Sequence, residues 1–160
     1  MTMRLEYFDA VTSDFERLTR ELDSELAERN GEKQGLYAPY NKLSGIHDIV
    51  IAFDGDAAIG CGSMKRYDDS TFEVKRVFVE RPYRGSGVAK AIIREIEAAA
   101  RRKGIERLIL ETGKTMAEAN GLYRGLGYRV IENYGQYEGM DFSVCMEKRL
   151  VEGRSVHKSL

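Results

Sequence analysis

Residues 77–93 read VFVERPYRGSGVAKAII. The apolar run stops at Glu80, a short basic turn follows, and Gly85 and Gly87 stand just before a pattern of helical period. A helix N-terminus carries amide N–H groups with no intrahelical partner and the positive end of the helix dipole. Removing Cβ at Gly85 and Gly87 lets an anion approach those amides, and Arg84 can add a charge-assisted bond. The same glycines could do no more than tighten the turn. The stretch is not a Walker A loop, because RGSGVAK lacks the G-x-x-x-x-G-K-[ST] spacing. Nor is it the dinucleotide fingerprint, which needs a third glycine and an early βαβ setting.

Working outward, TFEVKRVFV (71–79) reads as the strand feeding the turn, and 88–103 as a helix with Ala89, Ile92, Ile93, Ile96, Ala99 and Ala100 on one face, ended by Gly104. Upstream, HDIVIAF and AAIGCGSMKRY are strands joined by an Asp54-Gly55 hairpin signal, with a second turn at Asp68-Asp69. MRLEYFDA (3–10) is a first strand. Ser13 and Glu16 form a capping box for a helix carrying Phe15, Leu18, Leu22 and Leu26, stopping near Asn30-Gly31. Residues 31–45 are irregular. Downstream, RLILET is a short, continuously apolar strand. Thr115 and Glu118 form a second capping box before a helix ending at Gly127, and YRVIEN and DFSVCMEK are two closing strands around a tyrosine-rich loop. Hairpins at the front and a strand–helix–strand unit behind predict an α/β (α+β type) fold. Its central sheet is mixed, mostly antiparallel, of about six to seven strands with helices on both faces.

The 160 residues suggest one domain over 1–150, with a polar tail at 151–160. Lys and Arg total 25 against 26 Asp and Glu, a net charge of −1, and the basic residues are dispersed. That gives no electrostatic basis for sequence-independent nucleic-acid binding. Cys61 and Cys145 lie far apart in apolar runs and read as buried thiols in a reducing compartment. There is no 18-residue apolar stretch, and the N-terminus lacks an apolar signal core. A cytoplasmic protein with no membrane partner is expected. His47 and His157 have no carboxylate or cysteine in sequence reach, so no metal site is expected.

Arg84-Gly85-Ser86-Gly87-Val88-Ala89 resembles the acyl-CoA pyrophosphate loop, Gln/Arg-x-x-G-x-Gly/Ala, of the GNAT superfamily, the GCN-five-related N-acetyltransferases. EVKRVFVERPYRGSGVAKAI is similar to that family's motif from strand to helix. LETG followed by LYRGLGY resembles the next strand–helix unit, and SVCMEKRL a closing strand. The strand–helix order agrees from Arg4 to Leu150, and the most specific part is residues 73–128.

The resemblance implies an enzyme using acetyl-CoA as cosubstrate. The 72–79 strand would splay from the 107–112 strand, and the pantetheine arm would pair with backbone of Val77, Phe78 and Val79. The pyrophosphate would rest on the amides from Arg84 to Ala89. Glu73 is the candidate general base, and unbroken alternation would place it with Lys75, Val77 and Val79, whose apolar side chains could desolvate it. Its other reading is a surface or ion-paired glutamate. Tyr123 stands where the family often has its general acid for the departing thiolate; its other reading is a core tyrosine bonded to a carbonyl. Many members carry an asparagine seven residues before this tyrosine, where this chain has Met116, and Asn120 is the substitute at hand. Tyr37, Tyr40 and Asn41, with Tyr134 and Tyr137, are available to line the acceptor site, or to close a small core. Asp23 and Glu25 could attract a cationic amine, or form a solvated helix face.

The leading reading is acetyl transfer to the primary amine of a small molecule by direct attack in a ternary complex. The alternatives are acetylation of a protein N-terminus or lysine, and a non-catalytic acyl-CoA sensor. Small domains of this kind often form homodimers, and no sequence feature marks an interface.

Overall fold

The computed structural model describes residues 1–30 and 42–150, the Asn30 side chain excepted. The elements, in chain order, are β1 (Met3–Phe8), α1 (Ser13–Asn30), β2 (Ile46–Asp54), β3 (Ala57–Arg66), β4 (Thr71–Val79), α2 (Val88–Arg102), β5 (Arg107–Gly113), α3 (Ala117–Gly125), β6 (Arg129–Ile131) and β7 (Ser143–Arg149). The seven strands hydrogen-bond in the order β1-β2-β3-β4-β5-β7-β6. Among the ladders with a defined register, β4–β5 is parallel and the others are antiparallel. This is the expected mixed, mostly antiparallel sheet. Among the described residues, no helix is long and apolar enough to cross a membrane.

The chain forms two compact units. The first comprises Met1–Lys65 and Val74–Ile96. In it β1 runs antiparallel to β2, Met3 opposite Asp54 and Phe8 opposite Ile49, and β2 turns into β3 at Gly55, whose φ of 61° is one that glycine adopts without strain. α1 lays Phe15 and Leu18 onto Ile49, Ile51, Phe53, Cys61 and Phe78. Both side chains are fully buried, worth roughly 2–3 kcal/mol each in apolar transfer. Thr12, not Ser13, caps this helix: the Phe15 amide donates to Thr12 Oγ1 at 3.2 Å, and Ser13 is already its first residue. The opposite face of β3 is bare at Gly60 and Gly62, where Ile92 of α2 comes close.

The second unit comprises Arg66–Glu73 and the chain from Glu97 onward. Here the start of β4 pairs with β5 in parallel, Thr71 with Arg107 and Glu73 with Ile109, and β5 pairs antiparallel with β7. α2 ends as expected at Gly104, whose φ is 78°, with the Ile105 amide donating to Ala100 O at 3.0 Å. The Thr115–Glu118 box does not form. α3 begins at Ala117, and its N-cap, Met116, makes no side-chain capping bond.

Strict alternation along β4 fails at Arg76, which has φ 59°. Beyond it, Arg76 donates to Thr19 O and Asp23 Oδ1 of α1, and Phe78 joins the α1 core, whereas Val77 and Val79 lie where a Cβ on Gly62 or Gly60 would point, beside Ile92. A residue in the left-handed region breaks the pleat. The alternation expected to run unbroken from Glu73 to Val79 is interrupted at Arg76.

Candidate functional site

In the first unit, β4 runs into a 3₁₀ turn, Arg81–Tyr83, preset by Pro82. Gly85 and Gly87 follow at φ 81° and 88°, and a Cβ built on either would meet nothing within 4 Å. These glycines are required by backbone angle and leave open space above the chain. The Arg84 amide is used, donating to Arg81 O at 3.2 Å. Among the described residues, the amides from Gly85 to Ala89 have no acceptor, and the first bond of α2 runs from the Ala91 amide to Gly87 O at 3.0 Å. The Ser86 hydroxyl donates back to Tyr83 O at 2.7 Å, closing the turn on itself. Residues 84–87 are exposed, and Val88 is buried. Five consecutive donors at the positive end of a fifteen-residue helix make an anion cradle.

Arg84 does not point its charge into that cradle. Its guanidinium forms a fork with Glu25 of α1, Nη2 to Oε1 at 2.8 Å and Nη1 to Oε2 at 3.1 Å, while Nε donates to Val79 O at 2.7 Å. The group also lies 5.4 Å from the Phe78 ring centroid. The Arg84 guanidinium, helped by Arg81, holds the Glu25 carboxyl below its ordinary value against the effect of burial. The sequence reading expects Arg84 to add a phosphate contact; its side chain here ties β4, the turn and α1 together. Asp23 and Glu25 are likewise engaged, with Arg76 and with Arg84 and Arg81, rather than offered to an amine.

In the second unit, register places Glu73, Ile109, Glu111, Cys145 and Glu147 on one face of β4, β5 and β7. Glu147 is ion-paired: Arg107 Nη1 lies 2.5 Å from it and Arg129 reaches its other oxygen. Burial would push its carboxyl up, but the two guanidiniums hold it below the ordinary range. Ser143 Oγ donates to Glu111 at 2.8 Å. Glu73, only 7 % exposed, accepts a 2.8 Å hydrogen bond from the Tyr134 hydroxyl. Tyr134 packs edge-on against Tyr67 at 5.5 Å and Tyr137 at 5.6 Å between centroids. Burial first, then the Glu73 carboxylate, push the Tyr134 phenol well above its ordinary value, and Tyr137 moves the same way. Sequence reading offered Tyr134 and Tyr137 as lining for an acceptor site or a small core; it gave no sign of Tyr67 or of the bond to Glu73, since residues 61 positions apart carry no local signal of contact.

Tyr123 is the buried residue of α3, 7 % exposed, edge-on to Tyr128 at 5.6 Å. Among the described residues its hydroxyl has no hydrogen-bond partner, and burial raises its phenol, which keeps it protonated. Tyr128 is anchored separately, donating to buried Glu97 at 2.8 Å beside Lys148 at 3.0 Å. Asn120 Nδ2 donates to Gly113 O and Met116 O, while its buried Oδ1 has no partner. Tyr37, Tyr40 and Asn41 lie outside the described residues. Among those described, no cluster of His, Cys, Asp and Glu could hold a metal ion.

Residues 8–128 match the sequence model of the Acetyltransferase (GNAT) family. The chain belongs to the GNAT acetyltransferase family. As a member it is an acetyl-CoA-dependent N-acetyltransferase. It is 35% identical over 101 residues to YsnE, an uncharacterised N-acetyltransferase of Bacillus subtilis, covering 62% of this chain and 67% of that one. In fold it is similar to a candidate acyl-CoA N-acyltransferase of Klebsiella pneumoniae, with TM-score 0.78, 24% identity, and coverage of 93% of this chain and 98% of the other. A GNAT acetyltransferase of Elizabethkingia anophelis, solved with acetyl-CoA bound, gives TM-score 0.68 at 17% identity, covering 92% and 98%. In this GNAT chain the five amides of the glycine turn lack acceptors among the described residues, and a Cβ at Gly85 or Gly87 would enter the open space above it.

Proposed function

We propose that residues 1–150 act as one acetyltransferase domain that moves the acetyl group of acetyl-CoA to the primary amine of a small molecule by direct attack in a ternary complex. The cosubstrate supplies a thioester, whose carbonyl is open to a neutral amine. The amides from Gly85 to Ala89 would neutralise its pyrophosphate, the backbone of Val77 to Val79 would pair with its amide-bearing arm, and Asn120 Oδ1 is an acceptor still to be satisfied.

An amine is mostly protonated at pH 7, so one proton must leave before attack. Glu73 takes that proton, directly or through water. The N–C bond forms as the C–S bond breaks. Tyr123, kept protonated by burial and with no hydroxyl partner among the described residues, donates to the departing sulfur. In sum an alkylammonium and the thioester give an amide, a free thiol and one proton released to solvent. The observation carrying the small-molecule reading is the aromatic wall of Tyr67, Tyr134 and Tyr137 around the Glu73 carboxylate, which offers apolar faces and hydroxyls at the base itself. Both cysteines are free and buried, which suits a reducing cytoplasm. A homodimer belongs to the same proposal and is checked by sedimentation.

Thiol release from acetyl-CoA across a panel of primary amines tests the reading. Turnover is expected with at least one amine, falling about 10²-fold or more in kcat for Glu73→Gln and for Tyr123→Phe. Acetyl-CoA binding without turnover of any amine, or variants that retain full kcat, would sink it.

A further inference from the structure

The loop between β6 and β7 is built with more care than a connection requires. Asn133 Nδ2 donates to Tyr137 O at 3.2 Å and Met140 O at 2.9 Å. The Tyr137 amide donates to Tyr134 O at 2.8 Å, the Met140 amide to Tyr137 O at 3.0 Å, and the Ser143 amide to Met140 O at 3.0 Å. Gly135, at φ 50°, makes the corner beside the Tyr67 ring. The Tyr134 ring is then held from two sides, edge-on to Tyr67 and Tyr137. All of this fixes one atom: the Tyr134 hydroxyl, 2.8 Å from Glu73 Oε2.

We propose that Tyr134 is the positioning residue for the Glu73 carboxylate, pinning Oε2 from a braced loop and so setting the plane in which the carboxylate meets the substrate amine. This rests on the reading of Glu73 as the general base. A hydrogen bond to an ionised group is stronger than one between neutral groups, so a single phenol donor can hold one carboxylate oxygen in place. Glu147 on the same face is held by two guanidiniums instead. Glu73 shares its face with Ile109 and Glu111 from β5 and Cys145 and Glu147 from β7, and Tyr134 reaches it from the loop.

Tyr134→Phe keeps the ring and its edge contacts and removes the hydroxyl alone. The experiment is steady-state kinetics of the full chain with acetyl-CoA and whichever primary amine turns over, with an unfolding midpoint measured alongside. In Tyr134→Phe, kcat is expected to fall about 10-fold with the KM for acetyl-CoA within twofold and the unfolding midpoint unchanged, and the double variant with Glu73→Gln is expected to be no slower than Glu73→Gln alone. An unchanged kcat in Tyr134→Phe overturns the inference, as does a loss that adds in full to that of Glu73→Gln. A Glu73→Gln variant that keeps full kcat would instead remove Glu73 as the base, so the two failures are told apart.

Discussion

Gly62→Ala is the most exacting perturbation of the packing that sets α2. A Cβ at position 62 would stand 2.6 Å from Ile92 Cγ2, 3.0 Å from Ile96 Cδ1 and 3.5 Å from Val77 Cγ2. Ordinary contact begins near 3.4 Å, so Ile92 must retreat by most of an ångström. It cannot do so freely, because Ile92 and Ile96 are 0% and 1% exposed. Overpacking of this kind costs about 1–3 kcal/mol. The lost backbone freedom of the unfolded chain returns about 0.4–1 kcal/mol. A net loss of ~1–2 kcal/mol lowers the thermal midpoint by roughly 2–8 °C at this chain length. Because the glycine turn is the N-terminus of the same helix, the shift should also weaken acetyl-CoA binding. Circular-dichroism melts and calorimetric titration of acetyl-CoA read both effects. A variant melting at or above the wild-type temperature would refute the claim that α2 is seated by the missing side chain at 62.

Gly87→Ala should behave in the opposite way. Nothing lies within 4 Å of its Cβ position, so the stability loss is limited to left-handed strain of about 1–2 kcal/mol, while acetyl-CoA affinity falls tenfold or more, and unchanged affinity in titration would dismiss the cradle. Glu25→Gln breaks the fork to Arg84; acetyl-CoA KM is expected to rise about 3–10-fold with kcat within twofold, and steady-state kinetics giving an unchanged KM would show that the fork does not organise the turn. Burial raises the Cys145 thiol to about 11 and Cys61 to about 12. Folded values above the unfolded one mean stability that is complete below about pH 9 and is lost as pH climbs through 11 and 12. The unfolding midpoint should therefore drop between pH 9 and 11, less steeply in Cys145→Ala, and a flat profile over that window would contradict it.

What the sequence made legible was whatever local chemistry decides. Asp54-Gly55 specified its hairpin because a left-handed corner favours glycine, and Gly104 stopped α2 for the same reason. Gly85 and Gly87 were readable as a turn into a helix because no other residue type reaches φ near 80° so easily. Where two adjacent residues compete, the pattern blurs. Thr12 and Ser13 can both cap, and the structure uses Thr12. Thr115 and Glu118 satisfy the capping-box spacing, yet α3 starts after Met116, with Asn120 bonded to the Met116 and Gly113 carbonyls instead. Long-range pairing left no trace at all. Nothing near Arg84 announces that Glu25 will claim its charge, and nothing near Glu73 announces Tyr134.

Arg76 shows why the surroundings of Glu73 had to be seen rather than counted. A period of two run from Glu73 to Val79 assigns both to one face. One left-handed residue at 76 ends that inference, because the pleat no longer carries through it. Left-handed backbone at a residue with a side chain costs on the order of 1–2 kcal/mol. Here the same residue makes charge-assisted bonds to Asp23 at 2.6 Å and to Thr19 O at 3.0 Å, interactions of about 1.5–3 kcal/mol that offset the strain. Cys61 Sγ donates to Arg76 O at 3.4 Å and Ser63 Oγ to Lys75 O at 2.6 Å, so β3 reinforces the irregular stretch with side chains. The irregularity is thus specified by at least four contacts rather than tolerated. It allows Val77 and Val79 to meet α2 while Arg76 and Phe78 turn to α1. The residue that most defeats a periodic reading of β4 is also the one that ties the strand to α1.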